Sequence, residues 1–329
     1  MPISARHLFF LHLEHRIDCL FNKATRVRGH HDVCGDDHRI LYFENTAGDP
    51  AYAILGDQAN EQSLQTLRTR LGLDQPLIVQ FYDFIKGVLV GDWGTSLVSN
   101  RPVIDDILEV MPATLELTFV SLLLGAVVGI PTGIWLAIRR NRLPDYIART
   151  ISLIGLSFPA FVSAVLLLLL FSIQLRWFPV ISSGQGETFF ERLRDLALPA
   201  INLGLIMAAY ITRVTRSAML EVLNQDYVRT AQAKGSSRAT IIWRHCFRNS
   251  MIPVVTVVGL YLGILIGNSV LIEIVFNRPG LGKLIIGSFN QRDYPMLQGM
   301  IVIYTMIVVL VNLLTDLTYG LIDPRIKYS

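Results

Sequence analysis

The sequence predicts an all-α, polytopic membrane protein, and three observations lead there. Of its 329 residues 52% are hydrophobic and only 17% charged, a balance well outside the soluble range. Apolar stretches recur that suit the roughly 20-residue helix needed to cross the hydrocarbon core. The segments between them alternate in charge, as connections on opposite sides of a bilayer do.

Five spans are read, at about 115–138, 151–173, 196–214, 253–274 and 297–317. The third is the weakest and carries Pro199 and Asn202. Neighbouring helices can satisfy backbone freed by a proline, and the alternation requires a crossing here. Arg139, Arg140 and Arg142 follow the first span, while residues 213–252 hold seven Lys or Arg against Glu221 and Asp226. Both connections are therefore expected inside. Residues 49–109 carry nine acids against four bases, and in residues 174–195 three Arg balance Glu187, Glu191 and Asp195. Both are expected outside, which leaves the tail at 321–329 in the cytoplasm.

Residues 1–46 fit this pattern poorly. They contain six of the seven histidines and two of the three cysteines but no apolar run long enough for a span or a signal peptide. The group His30, His31, Cys34 and His38 matches no regular four-ligand zinc spacing, so no metal site is assigned. Residues 47–111 read as a large external loop. Within it, leucines and aromatics at helical spacing predict two amphipathic helices, broken at Gly72 and restarted at Pro76. GDWGTSL, at 91–97, follows as a glycine-punctuated turn with Trp93 as an interfacial anchor.

Two spans carry glycines four apart: Gly125, Gly129 and Gly133 in the first, Gly259, Gly263 and Gly267 in the fourth. That spacing lines each trio along one helix face, where a second backbone can approach closely. The partner can be another helix of this chain or a second membrane subunit. The ionisable residues Glu116, Glu273, Arg213 and Asp316 fall near span ends rather than centres, which argues against an ion-coupled secondary transporter. GxxxxGK[ST], HExxH and GxSxG motifs are all missing, so the chain reads as a transport protein without a nucleotide site or catalytic centre of its own. Its basic loop suits anionic lipid, and nothing in it suits nucleic acid.

The most informative segment is 226–253, a hydrophilic, basic stretch between two spans. It reads as a helix, a break at Gly235 and a second helix. Ten segments in order carry a resemblance: AGDPA (47–51), LGLDQPL (71–77), RPV (101–103), MPATLEL (111–117), GLSFPAF (155–161), DYVRTAQAKG (226–235), RNSMIPVVT (248–256), EIVFNRPGLGKL (273–284), RDYP (292–295) and DPRIKY (323–328). Together they resemble the inner-membrane permease subunits of bacterial binding-protein-dependent ABC transporters, in the group that takes dipeptides, oligopeptides, nickel or glutathione.

The resemblance implies an ABC importer type I transmembrane domain over 112–320. The family has six spans, so the hydrophilic 1–46 stands where its first helix belongs, and a nonfunctional or frameshifted remnant is the alternative to an active permease. The implied partners are a second permease subunit, two ATPase subunits that use ATP, and a periplasmic solute-binding protein. No cofactor is bound by this chain itself. The implied ATPase-coupling loop comprises Arg229, Thr230, Ala231, Ala233, Lys234 and Gly235: small alanines for close docking, two cations for charge complementarity, and a glycine able to take positive φ. The implied external motif, Glu273, Pro279, Gly280 and Gly282, is expected to line or gate the path. Localisation in the inner membrane follows, multi-pass with a cytoplasmic C-terminus.

Overall fold

The computed structural model describes residues 50–56, 59–182 and 188–322. The readings made on residues 1–46, including the displaced first helix and the histidine group, lie outside them. The chain divides into two compact units, up to Gln65 and from Thr66 onward. In the first, helix α1 (Pro50–Leu55) is followed by the start of α2 (Glu61–Leu71). Asn60 opens α2 by accepting the Ser63 N–H through Oδ1 at 2.7 Å, while its own N–H donates to Ser63 Oγ at 3.1 Å. This is reciprocal capping of two helix-end donors.

In the second unit, α2 ends at Gly72, whose φ of +68° lets Leu73 N–H donate back to Arg68 O at 2.8 Å. Pro76 precedes α3 (Leu77–Val90), as the sequence predicts. Then come α4 (Val103–Ile138), α5 (Leu143–Ser157), α6 (Ala160–Leu167, prolonged by a π-helical turn to Gln174), α7 (Phe189–Leu223), α8 (Asp226–Ala233), α9 (Arg248–Val275), α10 (Leu281–Asn290) and α11 (Tyr294–Ile322). Residues 238–247 join α9 without a break, partly as a π-helical turn. Four helical stretches among the described residues are long and apolar enough to cross a membrane, and α5 with α6 makes a fifth if that bent pair is one span.

The bend is the main departure from the expected spans. Residues 151–173 do not form one straight helix: α5 and α6 meet at 99°. Pro159 has no N–H and disfavours helical backbone at the residue before it, so Phe158 is extended with ψ 131°. Asn202 Nδ2 donates to Ala160 O at 3.0 Å and ties the start of α6 to α7. The other questionable proline, Pro199, leaves α7 unbroken. Its missing N–H would have bonded Asp195 O four residues back, and the Ser182 hydroxyl donates to that oxygen instead, at 2.6 Å.

The core runs along the seam between α4 and α7. A Cβ built on Gly125 would lie 2.6 Å from Met207 Cγ, on Gly129 2.8 Å from Ile211 Cβ, and on Gly133 2.6 Å from Thr215 Cβ. All three distances are below van der Waals contact, so only glycine lets these backbones come so close. Thr212 Oγ1 adds a hydrogen bond to Gly129 O at 3.3 Å. The second glycine trio behaves differently. Gly259 faces Thr315 of α11, but a Cβ on Gly263 or Gly267 meets nothing within 4 Å. Of the two kinds of partner left open for that face, a helix of this chain, α11, is found at the level of Gly259, and the other two glycines border open space.

These environments predict opposite outcomes for one type of substitution. Gly129→Leu is expected to cost ~1–3 kcal/mol through overpacking and to lower the unfolding midpoint in detergent. Gly263→Leu is expected to leave the midpoint of the isolated chain unlowered.

Candidate functional site

The two ends of α9 carry the two regions of interest. Before α9, helix α8 lies against the bundle through one face. Val228 is fully buried and joins Ile134 and Ala137 of α4, Met219 of α7, and Ile241 and Cys246. Ala231, one turn later, packs partly buried on the same cluster. Helical spacing turns Ala231 inward with Val228, so among the six residues assigned to the coupling loop it is the one that also packs on the bundle. Arg229, Thr230, Ala233, Lys234 and Gly235 are exposed. Their charges are little committed: Arg229 faces Asp226 at 3.6 Å with both side chains largely in solvent.

The helix stops by a defined mechanism. Gly235 has φ +78°, and the N–H groups of Gly235 and Ser236 donate to Gln232 O and Ala231 O at 3.0 and 3.1 Å. A β-carbon at that φ is strained although nothing lies within 4 Å of it. Ser237 then caps the next helical segment by accepting the Thr240 N–H at 3.2 Å. Tyr227 OH accepts from Asn249 Nδ2 at 2.9 Å and ties α8 to the start of α9.

Beyond the other end of α9 the chain makes a hairpin into α10. Glu273 is fully buried. Its Oε1 accepts the Thr114 hydroxyl at 2.6 Å, and its Oε2 accepts the N–H groups of Gly282 and Lys283 at 2.8 and 3.2 Å. A carboxylate thus caps the N-terminus of α10, where free N–H groups and the helix dipole favour negative charge. Thr114 Oγ1 in turn accepts the Leu281 N–H at 2.8 Å. A Cβ at Gly280 would collide with the Glu273 carboxylate, and at Gly282 with Val270, so both glycines serve close approach. Pro279 is half-buried between them and Arg278. The Glu273 side chain offers no exposed surface to a path. It braces the hairpin from within.

Three polar links escaped sequence reasoning. Arg278 is buried and donates through Nη2 to Glu116 Oε2 at 2.6 Å. Asp145, fully buried at the start of α5, accepts from Arg216 Nε and Nη2 at 2.6 and 2.8 Å and from Asn141 N–H at 3.0 Å. Asp293 accepts the Ser96 hydroxyl and the Leu97 and Met296 N–H groups, tying the turn after α3 to the start of α11. Arg278, Glu116, Ser96 and Asp293 stand inside quoted segments, but Asp145 and Arg216 stand in none, and no pairing across 71 to 197 residues could be read from the sequence.

With this geometry in view, the similarities to known proteins become informative. The family described as the inner membrane component of binding-protein-dependent transport systems matches residues 129–328, and its N-terminal companion matches residues 38–118. The chain belongs to this family. The permease is 42% identical over 290 residues to the glutathione transport system permease protein GsiC of Escherichia coli (strain K12), covering 88% of this chain and 92% of that one. The same figures hold for GsiC of Salmonella typhi. The fold of this chain is similar to that of a chain of the MetNI methionine ABC transporter, solved in inward-facing conformations, with TM-score 0.54 at 20% identity over 66% of this chain and 96% of that chain. As a family member it is a multi-pass, membrane-embedded transport component rather than an enzyme.

Two outcomes follow from the anchoring contacts. Val228→Asp is expected to release α8, read as faster tryptic cleavage after Arg229 and Lys234 in membrane vesicles. Thr114→Val removes both a donor to Glu273 and the acceptor of Leu281 N–H, and is expected to cost ~1–3 kcal/mol. Hydrogen exchange at Leu281–Lys283 should accelerate accordingly.

Proposed function

We propose that this chain is one of two permease subunits in an ATP-driven uptake system for peptide-like solutes, with glutathione and short peptides as the first candidates. Its partners are a second permease, two ATPase subunits and a periplasmic solute-binding protein. The observation that carries the coupling assignment is α8 itself: a short helix anchored by buried Val228, ended by a positive-φ glycine, and presenting Arg229, Thr230, Ala233 and Lys234 to solvent. An exposed helix rigidly seated on three bundle elements suits the transmission of force from a soluble partner. The substrate class rests on the 42% identity to a permease named for glutathione transport.

In mechanical terms, nucleotide-driven closure of the ATPase pair would push on α8, and the cluster around Val228 would pass that displacement to α4 and α7. Such transitions are rigid-body shifts between two arrangements biased by nucleotide. The ends of the bundle then move together because the α4–α7 seam is tightly packed. With α8 inside, the Glu273 hairpin at the opposite end of α9 faces the binding protein, and the C-terminus lies in the cytoplasm.

Gly235→Val forces a β-branched residue into left-handed backbone at a cost of ~1–2 kcal/mol and deforms the end of α8. Co-purification of the ATPase subunits from membranes should fall, along with ATP-driven uptake of glutathione or dipeptide, while the permease stays in the membrane. Undiminished ATPase recovery with this variant would sink the coupling assignment.

A further inference from the structure

The break between α5 and α6 opens a cavity of about 160 Å³. Its walls bring Phe158 and Ala160 of the break together with Tyr210 of α7 and Tyr261, Ile264 and Asn268 of α9. Irregular backbone at membrane depth persists where protein buries it or where it lines a polar cavity, and interrupted helices in transporters mark solute positions. Here the interruption and the polar side chains coincide. None of the described residues lining the cavity is acidic.

Its polarity is also one-sided. The Tyr210 and Tyr261 rings pack with centroids 4.2 Å apart, and the Arg213 guanidinium, exposed and outside the cavity lining, sits 5.3 Å from the Tyr210 ring, one turn further along α7. No side chain caps the start of α6, and that helix end carries partial positive charge. The volume is below the roughly 300 Å³ at which whole-ligand pockets begin, so it suits one end of a solute.

We propose that this cavity is a way-station for the carboxylate terminus of a peptide-like solute in transit, contacted by Asn268 and Tyr261 and favoured by Arg213. The proposal rests on the permease reading and adds to it a place in the path and a charge preference. A cationic group would find no carboxylate among the described lining residues.

The test uses the complete transporter in membrane vesicles, with Cys19 and Cys34 replaced by Ala and the fully buried Cys246 kept, with Asn268→Cys or Ile264→Cys introduced separately and the parent's own labelling subtracted. Anionic and cationic methanethiosulfonate reagents are applied, their rates normalised to those with a free thiol. The anionic reagent should react about five-fold faster at both positions, and Arg213→Gln should reduce that preference below about two-fold. Modification at either position should also block ATP-driven uptake. Equal rates, a cationic preference, or uptake that survives modification would each overturn the way-station. Lack of any ATP-driven uptake by the unmodified transporter would instead reject the permease reading, and the charge preference of the cavity would still be measurable.

Discussion

The close approach of α4 and α7 is the constraint on which the rest of this structure depends. Inside a bilayer, apolar side chains gain little by leaving lipid for protein, so helices associate through tight packing and polar contacts. Gly125, Gly129 and Gly133 remove the side chains that would hold the two backbones apart. Once that seam is set, α4 presents Thr114 and Glu116 at one end and Ile134 and Ala137 at the other, while α7 presents Asn202, Arg216 and Met219 along its length. Each of these residues fixes another element. The hairpin before α10, the break at Pro159, the start of α5 and helix α8 are all referred to the same two helices.

Membrane-embedded backbone also explains the placement of the polar side chains. At one interior proline and at several helix ends, a side chain from elsewhere in the sequence bonds the local backbone. Ser182 serves Asp195 O, Asn202 serves Ala160 O, and Glu273 serves the first N–H groups of α10. These are helix ends and interruptions, the places where a bundle can change shape. Satisfied bonds hold each in one geometry, and a rearrangement would have to exchange them as a set.

Much of the fold was legible in the sequence because helical spacing and apolar length are local properties. The amphipathic pair around Gly72 and Pro76, the long apolar helices, the absence of a nucleotide motif and the helix break at Gly235 all follow from residues near one another in the chain. The candidate coupling segment was equally visible, although the inward turn of Ala231 was not. Small residues read the same on either face of a short helix until the packed face is known. Likewise, Gly259, Gly263 and Gly267 share a spacing, yet only the position of α11 separates the packed glycine from the two open ones.

The sequence by itself determined the membrane class, the run of helices and the family resemblance, since each is encoded in composition, periodicity or contiguous motifs. Tertiary structure alone decided what the charged and polar residues do. Glu273 is placed as a buried brace by Thr114, a residue 159 positions away, and Asp145 is held by Arg216 across 71. The bend at Pro159 became a cavity wall only because α7 and α9 bring Tyr210, Tyr261 and Asn268 to it. Such pairings depend on which helices lie side by side, a long-range property that local propensity does not specify.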